Sequence, residues 1–231
     1  MKFFLVTVFT VFTFTFASAQ EEAQPQEFGF QQKDIFVEGN FGFSSSKNTN
    51  SDVIGDYNEN KRNSINFNPK VGYFVTDKLA IGLRLNLISS NFESTQFTNP
   101  NLVRETKSNA FSGGLFGRYY FLELGKRFKT YTELGVIFGS SKSETSEIGN
   151  PILIDDNSYK YFNTSLDLGI QYFLTSRMAI NFSLTNLFYF SSNKYKDKLN
   201  ETEGRGSGFG GDLNIFNNFF NATSFGLTYK L

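Results

Sequence analysis

NPKVGYFVTDKLAIGLRL, residues 68–85, reads as two strands and the turn between them. Ile65, Phe67, Val71, Tyr73 and Val75 share one parity, with Asn66, Asn68 and Lys70 on the other. After TDK (76–78), Leu79, Ile81, Leu83, Leu85 and Leu87 stand opposite Ala80, Gly82, Arg84 and Asn86. Apolar residues at every second position mark a β-strand with two unlike faces. The tract also returns: YFVTDKLAIGLRL (73–85) matches YFLTSRMAINFSL (172–184), so the chain repeats one hairpin plan.

The same alternation runs outward in both directions. Towards the N-terminus, Ile35, Val37, Gly39, Phe41 and Phe43 oppose Glu38, Asn40, Gly42 and Ser44. Towards the C-terminus it recurs with Phe111, Leu115 and Tyr119, then Leu134, Val136 and Phe138, then Leu166, Leu168 and Ile170. Met178, Ile180, Phe182 and Leu184 follow, and Phe225, Leu227, Tyr229 and Leu231 close the chain. Links alternate in length: short at 76–78, 123–127 and 175–177, long and polar at 45–63, 91–108, 140–157 and 193–206. Short turns at one end and long loops at the other give the rhythm of a membrane barrel. A soluble sandwich would hide its apolar face; here the opposite face mixes charge with Gly, Ser and Asn, as a filled lumen would.

Residues 1–19 carry the features of a cleavable leader: Lys2, the apolar run FFLVTVFTVFTFTF (3–16) and the small-residue site Ala17-Ser18-Ala19. The run is too short for a spanning helix, and no later stretch is long and apolar enough for one. A mature chain that enters a membrane must therefore close all its backbone hydrogen bonds as a barrel. Residues 20–33 are polar and without period, which reads as a short periplasmic tail, and 34–231 form the barrel. The expected fold is thus all-β: a transmembrane antiparallel up-and-down β-barrel of eight strands, or ten if 207–221 forms an extra hairpin.

Composition bounds function. With no Cys and no His, the chain has no thiolate site and no imidazole chemistry, and no cofactor is expected. Its 22 basic and 22 acidic residues leave no electrostatic footprint for nucleic acid. Lipid-modifying and proteolytic barrels rely on a catalytic His, so a non-enzymatic role is expected. The 30 Phe and 11 Tyr, without Trp, suit aromatic outer surfaces. Tyr73, Tyr119, Tyr172 and Tyr229 share the outward parity near the short turns and make a periplasmic aromatic girdle.

On the inward parity, Glu38, Lys70, Arg84, Arg118, Glu133 and Asp167 fall at similar depth on six consecutive strands. Three cations and three anions in a narrow lumen must pair, because an unpaired charge there carries a large desolvation cost. Such a layer either fills the barrel or gates a pore. Other motifs carry less: Gly206–Gly211 fits G-x-G-x-x-G on paper but has no strand–turn–helix context, and Asp56–Asn60 opens like a calcium loop but has Lys61 where Gly is required. Glu144, Glu147, Asp155 and Asp156 crowd one polar link and offer a seat for divalent cations.

The C-terminal octet SFGLTYKL (224–231) resembles the assembly signal of outer-membrane barrels, with Ser224, Gly226, Tyr229 and Leu231 at its four fixed positions and Leu where Phe is usual. With the tract 68–85, the chain resembles the small outer-membrane β-barrel domain family, related in architecture to OmpA and OmpX. That resemblance implies residence in the outer membrane and a porin-like or structural role, with surface binding through the loops as the alternative. It also implies contact with outer-membrane lipid and lipopolysaccharide, and with the barrel-assembly machinery during biogenesis. Single cysteines at Asn50 or Lys198 are expected to take up a membrane-impermeant label on intact cells, and those at Asp77 or Ser176 to resist it; the reverse pattern would overturn the topology.

Overall fold

The computed structural model of the chain describes residues 27–51, 57–96, 102–148, 150–211 and 223–231. The leader at 1–19 and residues 20–26 of the tail lie outside them. Nine strands occur among the described residues: β1 (Ile35–Ser51), β2 (Tyr57–Phe74), β3 (Leu79–Gln96), β4 (Leu102–Leu124), β5 (Phe128–Glu147), β6 (Asn150–Phe173), β7 (Met178–Asp197), β8 (Thr202–Gly210) and β9 (Thr223–Lys230). Each of the first seven pairs antiparallel with its sequence neighbour. β8 and β9 both pair with β7, β8 along Tyr189–Asp197 and β9 along Met178–Leu184, so the two occupy one lane. β9 then pairs with β1 over Phe36–Gly39, and the Leu231 amide donates to the Ile35 carbonyl at 2.9 Å. The sheet thereby closes with eight lanes, the eighth being built from two segments; residues 212–222, part of the stretch read as strand or hairpin, lie outside the described residues.

The sequence repeat has a concrete local meaning. In the first copy the Thr76 hydroxyl oxygen accepts from the amides of Lys78 and Leu79 at 3.3 and 3.0 Å. In the second, Thr175 does the same for Arg177 and Met178 at 3.2 and 2.9 Å. A threonine at the first turn position thus satisfies two backbone donors that the ladder leaves over.

Parity decides the two faces. Leu83, Leu115, Leu134 and Phe138 point outward and are 55–63% exposed, while Phe36, Phe74, Arg118 and Gln171 point inward and are 0% exposed. A continuous apolar belt on the outside is stable only against hydrocarbon. On β3 the belt runs from Leu79 to Leu87 and gives way to Ser89, Asn91 and Glu93.

The long polar links are mostly strand, not loop. Strands β1–β7 are 17 to 24 residues long, whereas about 9–11 residues suffice to cross a bilayer. Beyond the belt both faces are polar, so the period-two signal disappears while the backbone ladder continues. Cross-strand side-chain pairs help hold it, among them Ser45–Asn63 and Ser89–Asn109 at 2.8 Å and Ser108–Ser143 at 2.9 Å. Leu83→Arg, at the middle of the belt, is expected to cost about 2–4 kcal/mol in unfolding measured in liposomes; wild-type stability for that variant would invert the assignment of inside and outside.

Candidate functional site: a charged and aromatic layer across the lumen

Arg118 on β4 projects to the barrel axis and is fully buried. Its Nε and Nη2 donate to Glu133 Oε2 of β5 at 2.8 and 2.6 Å. Its Nη1 and Nη2 donate to Glu38 Oε2 and Oε1 of β1 at 2.8 and 3.1 Å. One planar guanidinium therefore bridges two carboxylates through two adjacent edges, which a lysine's point charge does not match. Lys70 of β2 adds a second cation, 2.6 Å from Glu133 Oε1 and 3.6 Å from Glu38 Oε1, and Arg84 of β3 stands 3.7 Å from Glu133 Oε1. The cluster continues through neutral groups: Thr228 of β9 donates to Glu38 Oε2 at 3.2 Å, Gln171 donates to Thr228 at 2.9 Å, and Tyr120 donates to Gln171 at 2.5 Å.

Aromatic rings frame these charges. The Arg118 guanidinium lies 4.1 Å from the Tyr131 ring centroid and 5.2 Å from that of Phe36, a cation–π arrangement in a site closed to water. Towards the short turns, Phe36, Phe74, Tyr120 and Phe173 converge on Phe30, which stacks on Phe74 at 4.4 Å and 18°. Phe30 belongs to the segment before β1. That segment is fastened to the mouth by Gln32 N to Asp77 Oδ1 at 2.7 Å, Lys33 N to the Phe74 carbonyl at 2.9 Å and Lys230 Nζ to the Gly29 carbonyl at 3.0 Å. Gly29 has φ +121°, where a side chain would be strained, and a Cβ there would press on the Lys129 side chain. Residues 27–33, the described part of the segment read as a short periplasmic tail, are therefore seated in the barrel mouth as a stopper. The Phe28-Gly29-Phe30 anchor has no periodicity and hides in an otherwise polar stretch.

Above the charged layer lies a cavity of about 210 Å³, lined among others by Lys70, Arg84, Asn40, Asn86 and Asp167. The rings fill the lumen at the short-turn end, and the cavity lies on the other side of the charged layer.

Similarity to known proteins agrees with this architecture. The family described as "Outer membrane protein beta-barrel domain" matches residues 7–230. The chain belongs to this family. It is an integral outer-membrane protein. No curated protein matches it in sequence. Among solved structures, it is similar to the outer membrane protein OprG of Pseudomonas aeruginosa at 14% identity and a TM-score of 0.49, over 88% of this chain and 98% of that one. Neisserial surface protein A follows at 13% and 0.36, over 85% and 97%, and the outer membrane protease OmpT of Escherichia coli at 10% and 0.38, over 93% and 100%.

Of the six inward charges read from the sequence, this family member brings five together: Glu38, Lys70, Arg84, Arg118 and Glu133. Asp167 is buried but makes no ion pair within 4.0 Å among the described residues. It serves the backbone instead. Between Leu166 and Leu168 the register with β7 slips from Phe188 to Leu184, and Asp167 Oδ1 accepts from the amide of Asn186, whose φ is 61°.

Tyr73, Tyr119, Tyr172 and Tyr229 stand outward at the short-turn end, opposite Ile35, Leu79, Phe128 and Met178. Gly226 is packed against β1, where a Cβ would collide with Asn40. Leu231 is exposed, and the Ser224 backbone pairs with Ser183. Gly206–Gly210 lie in β8, and among the described residues no group of three acidic side chains offers a metal site. Glu144 and Asp156 are engaged by Lys142 and Lys198. The inward aromatics Phe36, Phe74, Phe116, Tyr131 and Phe173 escape sequence reading because they interrupt the polar parity; large rings alternating with lumen glycines were their available signal.

Arg118→Ala and Glu133→Ala are each expected to cost about 3–5 kcal/mol, since each strands a buried charge. The double variant should cost less than their sum, by about 0.5–3 kcal/mol. A thermodynamic cycle read from unfolding in detergent checks this, and strict additivity would refute direct coupling.

Proposed function

We propose that this protein is a non-enzymatic, sealed outer-membrane barrel that presents rigid β-hairpins and a blind vestibule at the cell surface, with its short turns in the periplasm. The observation that carries the reading is the closure of the lumen by the Arg118 ion cluster, the aromatic floor and Phe30. All eight lanes contribute an inward side chain at 0–2% exposure to this region: Phe36, Phe74, Ala80, Arg118, Glu133, Gln171, Ala179 and Thr228. Such a layer leaves no continuous path for a solute, which favours a structural or surface-binding role over a porin-like one. The absence of His and Cys from the sequence leaves no general base or thiol nucleophile suited to neutral pH.

One observation favours a gate as the second reading. Lys70 and Arg84 keep 13% and 17% of their side chains exposed to the vestibule, so water reaches the upper side of the charged layer. Refolded wild-type protein in planar bilayers is expected to be electrically silent, and the Phe30→Ala variant silent as well, because the ion cluster persists above it. Steady unitary currents from the wild type would overturn the sealed barrel. Currents that emerge only in Arg118→Ala would establish the gate.

A further inference from the structure

Cations collect on one outer wall, just beyond the apolar belt. Register places Lys160 of β6 directly opposite Lys194 of β7, and Lys194 directly opposite Arg205 of β8. Three like charges side by side on adjacent strands, about 4.8 Å apart at the backbone, oppose sheet formation. Only Lys194 is relieved, by Glu203 at 2.9 Å; Glu203 also meets Lys196 at 3.5 Å, and these lysines hold its carboxyl below the usual carboxylate range. Lys160 and Arg205 are exposed and have no acidic partner within 4.0 Å among the described residues. On β1, β2 and β4 the outward cations have acidic partners: Lys47 and Lys61 share Glu59 at 2.9 Å, and Lys107 meets Glu105 at 3.0 Å.

Below the cation row stand aromatics facing the same way. Phe138 pairs with Phe162 across β5 and β6, and Phe190 with Phe209 across β7 and β8. Their rings form a chain, Phe138–Phe162 at 4.9 Å and Phe162–Phe190 at 6.3 Å, and Phe209 is 77% exposed. Between the rings and the charges lie Ser192 and Ser207, directly opposite each other. On each of β6, β7 and β8, then, the outward side chains step from apolar ring to cation within about two outward positions.

We propose that this wall binds the phosphorylated glycolipid of the outer leaflet, with Lys160, Lys194 and Arg205 holding its phosphate and the four phenylalanines its acyl chains. The proposal rests on the orientation given above, with the long hairpins outside. An anionic headgroup turns the like-charge row from a cost into a binding site, while the rings match the hydrocarbon beneath it.

Native mass spectrometry of the full protein, released from detergent with added lipid, tests it. Wild type should retain bis-phosphorylated lipid A and lose most of that retention with dephosphorylated lipid A. The K160Q/R205Q variant should bind at least about tenfold more weakly, each basic residue at an anionic lipid surface contributing about fivefold. K47Q/K107Q, on β1 and β4 outside the cation row, should match wild type, and all variants should keep their heat-shifted mobility on gels as a check of folding. Equal binding by K160Q/R205Q, equal retention of the dephosphorylated lipid, or equal retention of phosphatidylglycerol would each overturn the proposal. A conducting barrel would sink the sealed-barrel reading and leave this measurement untouched.

Discussion

A backbone amide finds no hydrogen-bond partner in hydrocarbon, and an unsatisfied one costs several kcal/mol. Everything else in this protein follows from meeting that constraint with strands. The ladder must close on itself, so β9 returns to β1 through Val37–Tyr229 and the Leu231 amide. Closure fixes parity around the whole circumference, and parity sends alternate residues to lipid and to lumen. The apolar belt is a consequence of this geometry rather than a separate design.

The lumen inherits a second problem. An eight-lane cylinder is only wide enough for its side chains to fill, so charges placed inside must neutralise one another there. Arg118 meets it with a fork that reaches Glu38 and Glu133 at once, and Lys70 and Arg84 add two further cations on the vestibule side, where Asp167 also lines the cavity. Beneath them the rings of Phe36, Phe74 and Phe173 exclude water, which strengthens every pairing above. Phe30 extends that dry floor with a residue from outside the barrel wall. The aromatic floor and the ion cluster therefore support each other.

The outer wall shows the same economy at a different height. Once the strands leave the belt, neither lipid nor core dictates their side chains, and the ladder alone holds them. Cross-strand Ser, Asn and Thr pairs keep the hairpins ordered, and Lys160, Lys194 and Arg205 stand in one row on their outer faces. Length beyond the belt is thus what gives the barrel a surface to work with.

The sequence alone determined the strands of the belt, the short turns and the direction in which each side chain points, because all three depend on local period and on turn chemistry such as Thr76 and Thr175. It also placed Glu38, Lys70, Arg84, Arg118 and Glu133 on the inward face at one depth. It misread the polar links as loops, since alternation carries a signal only where the two faces meet different media. Only the tertiary structure decided who meets whom. Arg118 and Glu38 are 80 residues apart in the chain, Phe30 reaches its seat from a polar segment, Asp167 turns to the bulge at Asn186, and Lys160, Lys194 and Arg205 fall into one row. Such meetings depend on the register of every strand between the partners and on the shear with which the cylinder closes, sums over the whole barrel that no local stretch contains.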